Sequence, residues 1–468
     1  MTYSILLMTP FVIVVVAYFL ADSIADDKTH HGIIPVVPSI LPWFGNFFAF
    51  RHDPGRFMRS CRQQYGPVYK LLLAGQRTIV ISHQKGIALL NSDTTRSLRS
   101  EPVEKRILEA AIGVRENQEY LLEVMHQKLF SSLIRSLSPA SMTPIADNIQ
   151  QNILTELRAI GTAKTTTIMQ LDLLISRPLY RAGCLTLFGP TFPLNSFDDF
   201  HLFDSKFFQL IMGLPFVAKD AILARQRIIT TFEIYIAPLW AGEEIEGISD
   251  VITAMVQEMR GLVTLHEAAC LMTLFTFGFH TNTSNMSFWL LAHIIHQDLS
   301  AQLRQELYEA QMNGGSTPLM DSAVTEVLRW GTTNTTARVA TEDTTILVDE
   351  KSVFIRKGDF VVADVESLHY DPMVYSNPSD FVIDRFVDHG PGGQSLQPAA
   401  FGGGAHLCPG RHLAKSEMKH FMTTLLQMYE IKATPSGKRR LPCVDRRGLA
   451  GPLRSSEVIF VELSCLEK

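Results

Sequence analysis

The chemistry available to this chain gathers around one cysteine. The stretch Phe401-Gly402-Gly403-Gly404-Ala405-His406-Leu407-Cys408-Pro409-Gly410 holds Cys408 in a glycine-rich loop, and a helical spacing follows through Ala414, Met418, Phe421 and Leu425. A thiol at a helix start faces free backbone amides and the positive end of the helix dipole, and both favour thiolate. A thiolate there is a nucleophile or a metal ligand. A nucleophile needs a base, and His406 is close in sequence, so residue chemistry leaves both roles open beside that of a buried structural cysteine. A second constellation is Glu326 and Arg329, which share one face of a helix. Alone, such a pair is most often a surface ion pair of small value. A third is the polar run His280–Asn285, set inside the proline-free, otherwise apolar stretch Leu262–Gln297. It reads either as a solvated kink near Gly278 or as a polar, water-holding groove beside a reaction centre.

These groups need a large scaffold, and the chain supplies one. Its 468 residues are 46% apolar and 19% charged, which excludes a disordered protein. The net charge of −5 argues against nucleic acid as a partner. The cysteines are scattered with no CxxC pair, so neither a disulfide scaffold nor a zinc ribbon is expected. Residues 1–21 carry no charged side chain and suit a retained transmembrane anchor, since a span takes roughly 20 apolar residues. A cleaved signal peptide fits less well, because the basic n-region is missing. Residues 22–45, with Pro35, Pro38 and Pro42, read as a rigid hinge, leaving 46–468 as the globular domain. Tyr65–Ser82 reads as a hairpin turning at Gly75. Most of residues 85–330 has helical spacing, ending in a helix that Pro318 opens and that runs to Trp330. Residues 337–390 read as short strands and turns. The stretch Phe200–Phe216, rich in Phe and Leu, suits core packing or a membrane-dipping entrance.

Taken in order, these marks resemble the cytochrome P-450 superfamily. Phe401, Gly404, Cys408 and Gly410 fall at the spacing of its heme-binding loop, and Glu326 and Arg329 match its ExxR helix. Asp384, Arg385 and Phe386, with Pro372 and Pro378 before them, resemble its meander, and the long helix with a polar centre is similar to its oxygen-binding helix. The anchor and hinge resemble microsomal members. The resemblance implies a mainly α fold with small β-sheets and heme b with Cys408 as the axial ligand of the iron. A cysteinate in that place favours O–O cleavage. It further implies that Phe401 packs on the porphyrin. Gly404, His406 and Gly410 belong to the binding loop, and Glu326, Arg329 and Arg385 form a structural charge network behind the heme.

Three departures from the family pattern bear on function. His406 stands where arginine commonly meets a propionate. None of Trp43, Trp240, Trp289 and Trp330 lies on the early helix that often binds the other propionate. Arg338 is then the expected propionate partner, with Lys128 a weaker one. Aligning the oxygen helix by Gly278 puts Thr281 at the usual acid and Asn282 at the usual threonine. Asn282 and Thr283 would then face the bound oxygen as catalytic residues. Asparagine there is similar to the branch containing cholesterol 7α-hydroxylase, oxysterol hydroxylases and prostacyclin synthase. The expected function is monooxygenation of a lipophilic substrate, a sterol or terpenoid. The implied partners are O2, NADPH-cytochrome P-450 reductase, cytochrome b5 and the endoplasmic reticulum membrane. Two alternatives stay open: an electron-independent isomerase or dehydratase of a lipid peroxide, and a non-catalytic lipid- or heme-binding relic.

Overall fold

The computed structural model describes residues 34–92, 96–161, 166–211, 213, 218–333, 335–387, 397–434, 440–445 and 451–466. The expected anchor and the first part of the hinge lie outside these. No described helix is long and apolar enough to cross a membrane. The described part of the hinge lies along a strand edge: Val37 N donates to Lys70 O at 3.0 Å and Lys70 N donates to Pro35 O at 2.8 Å.

The hairpin forms as its composition requires. Strands β1 (Val68–Leu73) and β2 (Gln76–Ile81) pair antiparallel around Ala74 and Gly75, both in left-handed backbone. Helix α1 (Gln84–Asn91) follows. Helix α2 (Phe197–Ser205) turns Phe200 and Phe203 into the core, so these two phenylalanines of the 200–216 stretch are packing residues. Helix α3 spans Leu265–Gln297. Thr264 and Glu267 form a capping box at its start, and Asp298 ends it in left-handed backbone. Buried residues occupy every face of α3, so it runs through the interior rather than along one side.

Helix α4 (Pro318–Gly331) starts with proline in its first turn, where no amide hydrogen is needed. Strands β3 (Thr335–Ala340) and β4 (Phe360–Asp364) pair antiparallel, and β4 joins β2 in parallel, giving a five-stranded sheet with β1 and Leu98–Arg99 at its edges. Helix α5 (Arg411–Met428) follows the cysteine. The fold is therefore helical with small sheets. Its two largest apolar clusters meet along α3, one holding Cys270–Met272 and the other Met286–Ile294.

That interior also buries imidazoles. His293 stacks on Phe381 at 4.3 Å between ring centres and meets Trp330 edge-on at 4.5 Å, with neither ring nitrogen hydrogen-bonded. Burial pushes His293 from 6.5 down to about 3. The folded form thus binds fewer protons than the unfolded chain below about pH 6.5, and stability falls as the pH drops from there toward 3. Replacing His293 by Phe should remove roughly 2 kcal/mol of that loss at pH 5. Thermal midpoints of the two proteins at pH 7.5 and pH 5 check it: the variant should lose less on acidification.

Candidate active site

The cysteine loop is shaped by close backbone approaches. Gly402 and Gly404 both lie in left-handed backbone, and added Cβ atoms would sit 2.6 Å from His406 O and 2.4 Å from Asn91 O. Only glycine allows the loop to fold back on itself and against the end of α1. Cys408 N donates to Phe401 O at 2.9 Å, closing the loop, and Arg411 Nη1 holds Cys408 O at 3.1 Å. Burial pushes the Cys408 thiol up. The amides of Gly410 and Arg411 and the Arg411 guanidinium oppose this rise without outweighing it.

Cys408 opens onto a cavity of about 560 Å³. Phe401, Cys408 and Leu413 line one side, and Gly278, Phe279, Asn282 and Thr283 of α3 line the other. The walls are mostly apolar, as a flat lipophilic ring system requires. A thiol aimed into such a slot, backed by helix-start amides and cradled by glycines, fits a heme with cysteinate ligation.

The polar run does not break α3. Three of its side chains return to their own helix: Asn282 Nδ2 donates to Gly278 O at 3.1 Å, Thr283 Oγ1 to Phe279 O at 2.8 Å, and Asn285 Nδ2 to Thr281 O at 2.7 Å. Asn282 is nonetheless exposed to the cavity, whereas Thr283 is buried. Thr283 also hydrogen-bonds Glu417 of α5, whose carboxyl is pushed up to about 8 by burial and so keeps its proton at neutral pH. Glu417 lines the same cavity, and its Oε1 has no hydrogen-bond partner. Sequence reasoning missed it. The signal was an acid between Leu413 and Phe421 on the apolar stripe of the helix.

The charge network is assembled with full geometry. Arg329 grips Glu326 with two bonds of 2.8 Å, and Arg385 Nε reaches Glu326 Oε2 at 2.9 Å. Val382 N adds a fourth bond to the carboxylate at 3.0 Å. Glu326 and Arg329 have 0% side-chain exposure and Arg385 has 7%. The spare donors of Arg329 go to the carbonyls of His369, Pro378 and Asp380. None of the three network residues lines the cavity, but Leu328 of α4 and Thr332, just past its end, do.

Of the remaining expected residues, His406 and Gly410 line the cavity and Gly404 sets the loop against α1. Arg338 is buried on β3, with Nη2 donating to Leu90 O at 3.1 Å, and does not line the cavity. Lys128 is exposed on a π-helical turn, Met125–Leu129, and is also absent from the cavity wall.

Comparison with known sequences and structures places this fold and site in a known class of protein. The chain belongs to the cytochrome P450 family, whose pattern matches residues 35–452. It is 23% identical to Cytochrome P450 7A1 of Rattus norvegicus, across 90% of this chain and 92% of the relative. It is 24% identical to the 7-alpha-hydroxycholest-4-en-3-one 12-alpha-hydroxylase of Homo sapiens, across 85% of this chain and 86% of the relative. A solved structure of retinoic acid-bound cyanobacterial CYP120A1 shares the fold with a TM-score of 0.72 and 22% identity, covering 93% of this chain and 100% of that one. The protein is thus a P450 monooxygenase with relatives among the sterol hydroxylases.

The network's burial sets its energetic weight. Removing one partner of a buried ion pair strands the other, at about 3–5 kcal/mol. Glu326→Gln should therefore lower unfolding free energy by about 3 kcal/mol or more in urea denaturation. Lys419→Ala, which breaks the exposed contact with Asp321, should cost under about 1 kcal/mol.

Proposed function

We propose that this protein oxidises a sterol or terpenoid by heme-thiolate monooxygenation, with Cys408 as the axial ligand. The observation that carries the reading is the pairing of Cys408 with the polar notch of α3 across one apolar cavity. Bound heme would supply dioxygen activation and O–O cleavage, chemistry that no side chain offers. Phe401 and Leu413, which line the cavity, would help hold the porphyrin. Gly402, Gly404 and Gly410 would keep the loop close enough for backbone amides to reach the sulfur. His406, at the cavity edge, would meet a propionate, and the buried position of Arg338 supports a role in holding the end of α1 against the loop rather than a direct propionate bond.

On the opposite side, the residues of the chain handle water and protons. Asn282 uses one amide hydrogen on Gly278 O, leaving a second hydrogen and Oδ1 for water. Thr283 Oγ1 meets the protonated Glu417 carboxyl, which can hold a proton close to the cavity at neutral pH. Glu326, Arg329 and Arg385 are structural rather than catalytic and support heme retention by fixing the segment that enters the cysteine loop. Electrons would come from NADPH through a cytochrome P-450 reductase, with cytochrome b5 as a second donor, at the endoplasmic reticulum membrane. Support for the sterol class comes from relatives named as sterol hydroxylases and from walls with few polar groups. Apolar walls discriminate weakly among molecules of similar size, so a panel of substrates is the right probe.

The test is turnover of a sterol and terpenoid panel by the full chain with reductase and NADPH under 18O2. One labelled oxygen per product molecule is expected. Product formed without NADPH, or free of label, would replace this reading with the isomerase or dehydratase.

A further inference from the structure

The family pattern places an acid where this chain has Thr281. The threonine is not isolated. Its Oγ1 donates to Oδ1 of Asp204, on α2, at 3.0 Å. The other buried threonines of α3 behave differently: Thr273, Thr276 and Thr283 each turn back to the carbonyl four residues earlier. Thr281 points away from its own helix and into the carboxylate of another.

The same carboxylate holds a second element. Arg454 reaches Asp204 with Nη1 to Oδ2 at 3.0 Å and Nη2 to Oδ1 at 2.6 Å. Only 15% of the Asp204 side chain and 36% of that of Arg454 are exposed. Burial pushes the Asp204 carboxyl up, but Arg454 and Thr281 outweigh it and hold the group below the usual carboxylate range. Arg454 ends a short strap, 451–454, that is pinned along its length. Gly451 O accepts from Thr333 N and Oγ1, Leu453 N donates to Gly331 O, and Leu453 O accepts from Trp289 Nε1. Pro452 of the strap lines the cavity. Gly451, in left-handed backbone, lies so close to Asn282 that a Cβ there would be 3.3 Å from Asn282 Oδ1.

Asn282 is therefore bounded from two directions by groups that converge on Asp204. Thr281 fixes the helix position immediately before it, and the strap closes against its amide oxygen. We propose that Asp204 is the relocated acid of this site, a positioning residue that acts through Thr281 and Arg454 to fix Asn282 at the cavity. The inference rests on the reading of Asn282 as the residue facing the oxygen side of the heme. The carboxylate touches neither cavity nor substrate and serves as the shared anchor of α2, α3 and the strap. A neutral residue at 204 would leave the Arg454 guanidinium without its hydrogen-bonded carboxylate, with only the more distant charges of Asp172 and Asp445, and the strap without its end contact. The hydroxyl of Thr281 would fall back to its own helix, as its neighbours do.

The test uses the full chain with heme bound, in membranes, and reads the infrared stretch of carbon monoxide on the ferrous protein. That frequency senses nearby polar groups independently of turnover. Asn282→Ala sets the reference shift. Asp204→Ala and Thr281→Val should shift the stretch in the same direction, Thr281→Ser should restore the wild-type frequency, and Asp204→Ala combined with Asn282→Ala should add nothing to Asn282→Ala alone. Asp199→Ala, on the same helix as Asp204, breaks an exposed pair with Arg227 and should leave the frequency unchanged. Peroxide released per NADPH should rise several-fold in Asp204→Ala. A silent Asp204→Ala and Thr281→Val beside a shifted Asn282→Ala would overturn the inference and leave the role of Asn282 standing. A silent Asn282→Ala would remove that role and the inference together. Should Asp204→Ala fail to bind heme, the Thr281→Val and Thr281→Ser pair decides alone, by the same criterion.

Discussion

A carboxylate with no exposed surface, Glu326, is the point on which the rest of this structure depends. It accepts two bonds from Arg329, one from Arg385 and one from the backbone of Val382. The chain of contacts continues outward. Arg329 binds the carbonyl of His369, and the His369 ring nitrogen Nε2 accepts from Ala399 N at 2.9 Å. Ala399 lines the cavity next to Ala400 and Phe401, where the cysteine loop begins. That acceptor role requires a neutral His369, and burial supplies it by pushing the ring down to about 3. A charge buried behind the site thus sets where the sulfur stands in front of it. Ion pairs of this kind add little net stability over apolar packing, but breaking one is severe, so they act as specifiers of geometry.

The site itself is built from contrasts of environment. Cys408 and Glu417 both line the cavity, and burial raises both. Helix-start amides oppose the rise at the sulfur, while Glu417 has only the Thr283 hydroxyl to oppose it. Under the proposed function, one group would carry charge to a metal and the other would carry a proton. Separating acid and ligand by environment rather than by residue type is a general means of placing two chemistries in one cleft.

Much of this was legible in the sequence because it rests on local rules. The hairpin followed from a glycine turn between β-rich runs, α4 from Pro318, and the loop from its glycines and Cys408. The Glu326–Arg329–Arg385 cluster was visible through its resemblance to a family pattern, although helical spacing alone gave only a surface pair. What was hidden depends on contacts across long stretches of chain. Asp204 and Arg454 meet only when α2 and the terminal strap fold over α3. The polar run gave no sign of whether its helix would break, because amide side chains that return to carbonyls four residues earlier need no change in composition. The position of Arg338 behind the end of α1 likewise depends on β-sheet register, which spacing in the sequence does not reveal.

The central claim is that the cavity is a heme site ligated by Cys408. The most direct measurement is the ferrous–carbon monoxide difference spectrum of the full chain in membranes, beside that of Cys408→Ser. The account predicts a thiolate Soret band in the wild type and its loss in the variant. A thiolate band that survives the substitution would contradict it.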